Sequence, residues 1–101
     1  MEVVYASSKL EETCLVERAG NKSHGADVAK IIRKRIAQLR AAESVADLLQ
    51  GLGKWHPLSG NYDNCWATHL TKNWRLIIRD ASPETTASAV VIEVVEIVDY
   101  H

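Results

Sequence analysis

The chain has 101 residues, 47% of them hydrophobic and 25% charged, with a formal net charge of −1 at pH 7. That length supplies one core and no second, so a single domain over residues 1–101 is expected. The longest apolar runs are strand-length and carry Arg75 and Arg79 or Glu93 and Glu96, which excludes a membrane-spanning helix, and Met1-Glu2-Val3 begins no signal peptide.

Val3-Val4-Tyr5 reads as a short first strand. Ser7 or Ser8 then offers an N-cap with Glu11 or Glu12 three or four residues on, which predicts a helix from about Ser8 to Arg18. Gly20-Asn21-Lys22-Ser23-His24-Gly25 is a turn by composition, and Asp27 can cap or charge the start of a long helix running to about Ala42. On that helix Val28, Ile31, Ile32, Ile36 and Leu39 share one face, and Lys30, Arg33, Lys34 and Arg40 lie opposite as either a solvated face or a phosphate-contacting stripe. Arg35 projects from the apolar side, where it should snorkel or pair with a carboxylate. A short helical turn from Val45 to Leu49 ends at Gly51-Leu52-Gly53.

Beyond that point the chain reads as strands: Cys65 to Leu70, Trp74 to Arg79 and Ala89 to Tyr100, separated by Thr71-Lys72-Asn73 and by Ala81 to Ser88. The connections suit antiparallel neighbours. The expected fold is therefore α+β: a short N-terminal strand, two helices, then an antiparallel sheet of about three further strands, with the helices on one face.

The near-neutral total charge hides a segregation. Residues 21–79 hold ten Lys/Arg against four Asp/Glu, while residues 80–101 hold five Asp/Glu and no Lys/Arg. A basic middle supports phosphate binding through local potential. Cys14 and Cys65 form no CxxC pair and are expected as reduced, partly buried thiols, which agrees with a cytoplasmic protein.

Three segments carry groups able to move protons or hold anions. In the last strand strict alternation puts Val91, Glu93, Val95, Ile97, Asp99 and His101 on one side and Tyr100 on the other, so Asp99 and His101 should project together. His101 titrates near neutrality, as proton transfer requires. His56 precedes Pro57, which holds it extended, and Gly60 permits a tight turn after it. Arg75 and Arg79 share a strand face, either as a fork for a phosphate or as partners of Glu93 and Glu96 across the sheet. Trp55, Trp66 and Trp74 divide between core and base-stacking platform. Cys65 and His69, with His56 and His101, form a competing zinc constellation that matches no common structural zinc spacing, and no GxSxG nucleophile motif is present.

His56-Pro57-Leu58-Ser59-Gly60, an aromatic strand with Trp66, Asn73-Trp74-Arg75-Leu76 and Val98-Asp99-Tyr100-His101 together resemble the HigB-type toxins of the RelE/ParE superfamily, bacterial toxin–antitoxin ribonucleases. The likeness is close over roughly residues 54 to 101, and the opening strand and helices agree in layout. It implies a compact RelE-like domain that enters the ribosomal A site and cleaves translated mRNA without metal or other cofactor. In such toxins the ribose 2′-hydroxyl attacks the adjacent phosphate and the 5′-oxygen leaves. Carried over, His56, Asp99 and His101 would share proton transfer, Tyr100 would assist, and Arg75 would stabilise the phosphorane.

The resemblance further implies RNA contacts from Lys54, Lys72, Asn73, Trp74 and Arg79 and ribosome contacts from Lys30, Arg33, Lys34 and Arg40. The partners implied are the ribosome with its mRNA and a helix-turn-helix antitoxin like HigA, through which alone operator DNA is bound; no membrane is involved. The chain departs from the family pattern at Ser59, where Lys is common, at Asn61, where an acid is common, and at Thr71, near which an Arg is common and Lys72 stands instead. A different class of reading on the same scaffold is a non-nucleolytic toxin, inhibiting gyrase as ParE relatives do or serving only as corepressor.

Overall fold

The computed structural model describes residues 1–81 and 90–99. A first strand, β1 (Glu2–Tyr5), leads into four helices: α1 (Ser8–Leu15), α2 (Glu17–His24), α3 (Ala26–Ala41) and α4 (Val45–Gln50). Then come β2 (His56–Pro57), a single 3-10 turn at Gly60–Tyr62, β3 (Cys65–His69), β4 (Trp74–Asp80) and β5 (Val91–Asp99). The five strands form one sheet in the order β1-β5-β4-β3-β2. β1 runs parallel to β5, and every other neighbour is antiparallel.

The α+β layout agrees with expectation, with two differences. The segment from Gly20 to His24, expected as a turn, is the latter part of α2. The helix started at Ser8 breaks at Val16, whose extended backbone (φ −98°, ψ 115°) separates α1 from α2. What holds the polar α2 in shape is contact: a Cβ on Gly20 would sit 2.8 Å from the Thr13 carbonyl oxygen and 3.1 Å from Ala29 Cβ, so α2 lies directly against α1 and α3. Packing of this closeness overrides the turn-forming composition. The N-cap of α3 is Gly25, at φ 84°, while Asp27 charges the first turn as the second of the two expectations had it.

The second difference concerns the sheet. β1 joins it beside β5, and His56–Pro57, expected as an extended loop, pairs with β3 as its outermost member. Side-chain caps act where serine precedes a helix: Ser7 accepts from the Leu10 amide and Ser44 from the Asp47 amide, both at 3.1 Å.

All four helices cover one face of the sheet. Ile32, Ile36 and Leu39 of α3, with Cys14 and Leu48, pack on Leu76, Ile78, Ile92 and Val94, and burial of each large aliphatic chain contributes roughly 1.5–3 kcal/mol. The other face has a smaller cluster, Cys65, Ala67 and Ile77, covered by Leu58, Tyr62, Val95 and Val98. Both cysteines are free and buried, and burial pushes the Cys14 thiol up to about 12, which leaves it unreactive.

The β4–β5 register contains the feature that decides which residues share a face. Ile77 pairs with Glu96, but Ile78 pairs with Val94, so Val95 is an extra residue on β5. Such a bulge inverts the alternation beyond it. Ile92 and Val94 point to the helices before the bulge; after it Ile97 takes that direction and Val98 packs in the outer cluster. The strict alternation expected for the last strand therefore holds only on each side of Val95.

Candidate active site on the open face of the sheet

On the face turned away from the helices, β2, β3 and β4 bring three cations or latent cations together. His56 pairs with Ala67, and two residues along β3 His69 pairs with Arg75. The His56 and His69 rings stack at 5.8 Å between centroids with 29° between planes. Loss of hydration first, then the Arg75 charge and His56, hold the His69 imidazole below its ordinary titration range. His69 is thus biased to be neutral beside a guanidinium.

The backbone before His56 is tied down by helix α3. Gln38 Oε1 accepts from Arg35 Nη1 at 3.1 Å and from Trp55 Nε1 at 3.2 Å, while Gln38 Nε2 donates to the Leu52 carbonyl. Arg35, expected to snorkel or meet a carboxylate, is used here instead. Thr68 donates its hydroxyl to the Gly53 carbonyl, and Gly53 stands at φ 99° with no room for a Cβ, which would lie 3.0 Å from Trp55 Nε1. Lys54 follows at φ 49°. The outcome is a fixed backbone leading into His56. The Lys54 carbonyl lies 3.3 Å from His56 Nδ1, a contact that favours the neutral tautomer with the hydrogen on Nδ1 and the lone pair on Nε2.

Next to Arg75 the sheet and the 3-10 turn enclose a cleft of about 150 Å³ lined by Leu58, Ser59, Tyr62, Arg75 and Val98, with Ala67 and Ile77 at its floor. The Tyr62 hydroxyl donates to Glu96, which faces outward because it lies beyond the bulge. Further along the same face Arg79 donates to Glu93 from Nε at 3.1 Å and from Nη2 at 2.5 Å.

The residues singled out in the sequence are distributed as follows. His56 and Arg75 come together. Lys54, Lys72 and Asn73 are exposed. Arg79 is in an ion pair with Glu93, as in the structural one of the two readings of the arginines. Trp74 lies on the helix side, edge-on to His24 with centroids 4.6 Å apart, so its ring is used within the fold. Asp99 pairs with Trp74, and the register gives it the side of the sheet opposite Arg75. Tyr100 and His101 lie outside the described residues. The buried residues of α3 face the sheet, which leaves Lys30, Arg33, Lys34 and Arg40 on the far side of the molecule from His56. Among the described residues no three His, Cys, Asp or Glu side chains are grouped as a metal site, and no helix is long and apolar enough to cross a membrane.

His69 was legible only as a possible zinc ligand. Its signal is the connection: with Leu70 to Asn73 joining β3 to β4, His69 and Arg75 fall opposite one another, and Leu70 closes the turn by donating to the Trp74 carbonyl at 2.8 Å. The pairing of Tyr62 with Glu96 gave no signal, because only the bulge turns Glu96 to that face.

No protein-family model matches the chain, and no curated protein sequence does. Solved structures do match. Over the whole of both chains it superposes on the YoeB/ParE toxin from Agrobacterium tumefaciens with a TM-score of 0.65 at 20% identity. A Staphylococcus aureus chain from a YoeB–YefM complex gives 0.63 at 15% identity, covering all of this chain and 97% of the other. YafQ from E. coli gives 0.57 at 14% identity, over 97% of this chain and 91% of that one. The fold is that of the RelE/YoeB toxins. At these identities the likeness extends to the fold alone.

Proposed function

We propose that this chain is the toxin of a type II toxin–antitoxin system and acts as a ribosome-dependent endoribonuclease of the HigB type, cleaving translated mRNA in the A site without a metal. The observation that carries the reading is the convergence of His56, His69 and Arg75 on the open face of a RelE/YoeB-type sheet, beside a cleft. His56, with Nε2 as acceptor, is the base that takes the 2′-hydroxyl proton, and Arg75 offsets the charge gathered on the phosphorus oxygens during displacement. His69 stands beside both and is the added member of the set. Asp99, Tyr100 and His101 are proposed to supply the proton for the leaving 5′-oxygen. Lys54, Lys72 and Asn73 are proposed as RNA contacts around this face. The α3 stripe of Lys30, Arg33, Lys34 and Arg40 is a proposed ribosome contact on the opposite side, so the toxin would be held between ribosome and message. The toxin works in the cytoplasm, restrained by a helix-turn-helix antitoxin.

One observation favours the non-nucleolytic alternative: Asp99 takes the side of the sheet away from Arg75, so the acid–base set is not gathered on a single face. The two readings separate in a purified translation reaction. The nuclease reading expects mRNA cuts in step with the codons, lost by at least a hundredfold in Arg75→Ala, as removal of one charge-stabilising donor typically does. Translation that proceeds with uncut message, or cuts that persist in Arg75→Ala, contradicts it.

A further inference from the structure

We propose that the edge of β5 beyond Val94, with the basic groove beside it, receives an extended segment of a partner protein: a short apolar strand flanked by Asp and Glu. The inference goes beyond the nuclease reading and concerns a surface between α1, α2 and β5, three strands away from β2.

The strand register leaves this edge uncovered. β1 ends at Tyr5, the last bond across is from the Ala6 amide to the Val94 carbonyl, and the chain then turns into α1. Leu70 donates to the Trp74 carbonyl, so the backbone groups of Trp74 face β3, those of Arg75 face β5, and those of its partner Val98 face back. One residue earlier, Ile97 therefore turns its N–H and C=O outward, to the side of β1, where no strand stands beside it among the described residues. An edge of this kind is a template for one more strand.

The surroundings of the edge select that strand. Beside Val95–Ile97 lies a recess of about 400 Å³ with Leu10 and Ile97 as its apolar wall, against which alternate side chains of an added strand can pack. Lys9, Thr13 and Ser23 line both this recess and a groove of about 620 Å³ between α1 and α2, so the two are continuous. In the groove Lys9, Arg18 and Lys22 stand exposed with Glu12 as the one carboxylate, and none of the three cations is in an ion pair among the described residues. Glu96, at the rim of the recess, turns its carboxyl group to the Tyr62 hydroxyl on the other face of the sheet. Complementary charge is thus carboxylate, placed next to an apolar strand. RNA fits less well: the one ring in the lining is His24, already packed edge-on with Trp74, and a surface so poor in rings is a weak platform for stacked bases.

The test titrates a capped peptide, Asp-Glu-Asp-Val-Thr-Val-Thr-Val-Asp-Glu-Asp, into the full chain while following backbone amide NMR signals and hydrogen exchange at Ile97. Acids stand at both ends so that either strand direction is served. The proposal expects shifts at Leu10, Lys22 and Ile97, and exchange of the Ile97 amide slowed at least about tenfold. The same peptide with Lys for every acid should bind about tenfold more weakly, and so should one N-methylated through its five central residues, which cannot form the ladder. In Lys9→Glu with Lys22→Glu, both at exposed positions, the order of the acidic and Lys peptides should reverse. No binding, shifts confined to other surfaces, or affinity indifferent to charge or to N-methylation overturns the proposal. It is equally overturned by an oligouridylate that binds here more tightly than the peptide, or by Ile97 protection that rises with protein concentration alone, the mark of a contact between copies of this chain. None of these readouts depends on RNA cutting, so the proposal and the nuclease reading fail separately.

Discussion

Gln38 is the residue on which the placement of His56 depends. Its amide joins Arg35, Trp55 and the Leu52 carbonyl, and Trp55 immediately precedes His56. Replacing Gln38 by Ala leaves the indole N–H and the Leu52 carbonyl without these partners, a loss of about 1–3 kcal/mol. Urea unfolding of Gln38→Ala should read that loss, and RNA cutting should fall through the turnover rate rather than through substrate affinity. The titrating residues make a separate prediction. Burial holds His24 below its ordinary range, and burial with Arg75 and His56 does the same for His69. For a histidine whose folded pKa is depressed, the unfolded chain binds more protons, so stability is complete above the ordinary value near 6.5 and is lost as pH falls through the folded value. The urea midpoint should therefore fall between pH 7 and pH 5. His24→Phe, which keeps an aromatic edge against Trp74, should flatten the slope; an unchanged slope would place the titration elsewhere.

Among the elements, the helical form of α2 and the bulge within β5 have no signature in the local pattern. α2 is a polar eight-residue stretch with glycine at its fourth position, and its identity as helix comes from contacts with α1 and α3 that have no local signature. Gly20→Ala tests this: propensity alone would gain up to about 1 kcal/mol, whereas the 2.8 Å approach to the Thr13 carbonyl requires α2 to move and should cost a net 1–3 kcal/mol. A thermal melt gives the sign directly. The composition of β5 predicts a strand but not a bulged one, because an extra residue is visible only against the partner strand. That single residue redirected Asp99 and Glu96. By contrast, the long α3 with its apolar face, the short helix at Val45 and the strands containing Trp66 and Trp74 followed from periodicity, since each buries one regular face.

At the scale of the whole molecule the two layers separate two kinds of chemistry. One outer surface is the basic face of α3; the other is the open sheet with His56, His69 and Arg75. The net charge of −1 conceals this arrangement, and the charge segregation along the sequence indicated it. His56 and Arg75 read separately in the sequence, and only the resemblance to HigB-type toxins joins them in one site. Their companion His69 needed the strand register. The most direct measurement of the central claim is to induce the wild type and His56→Ala in bacteria and map mRNA 5′ ends against the reading frame. The account predicts frame-locked cuts in the wild type that vanish in His56→Ala; growth arrest without cuts, or identical cuts in both, would contradict it.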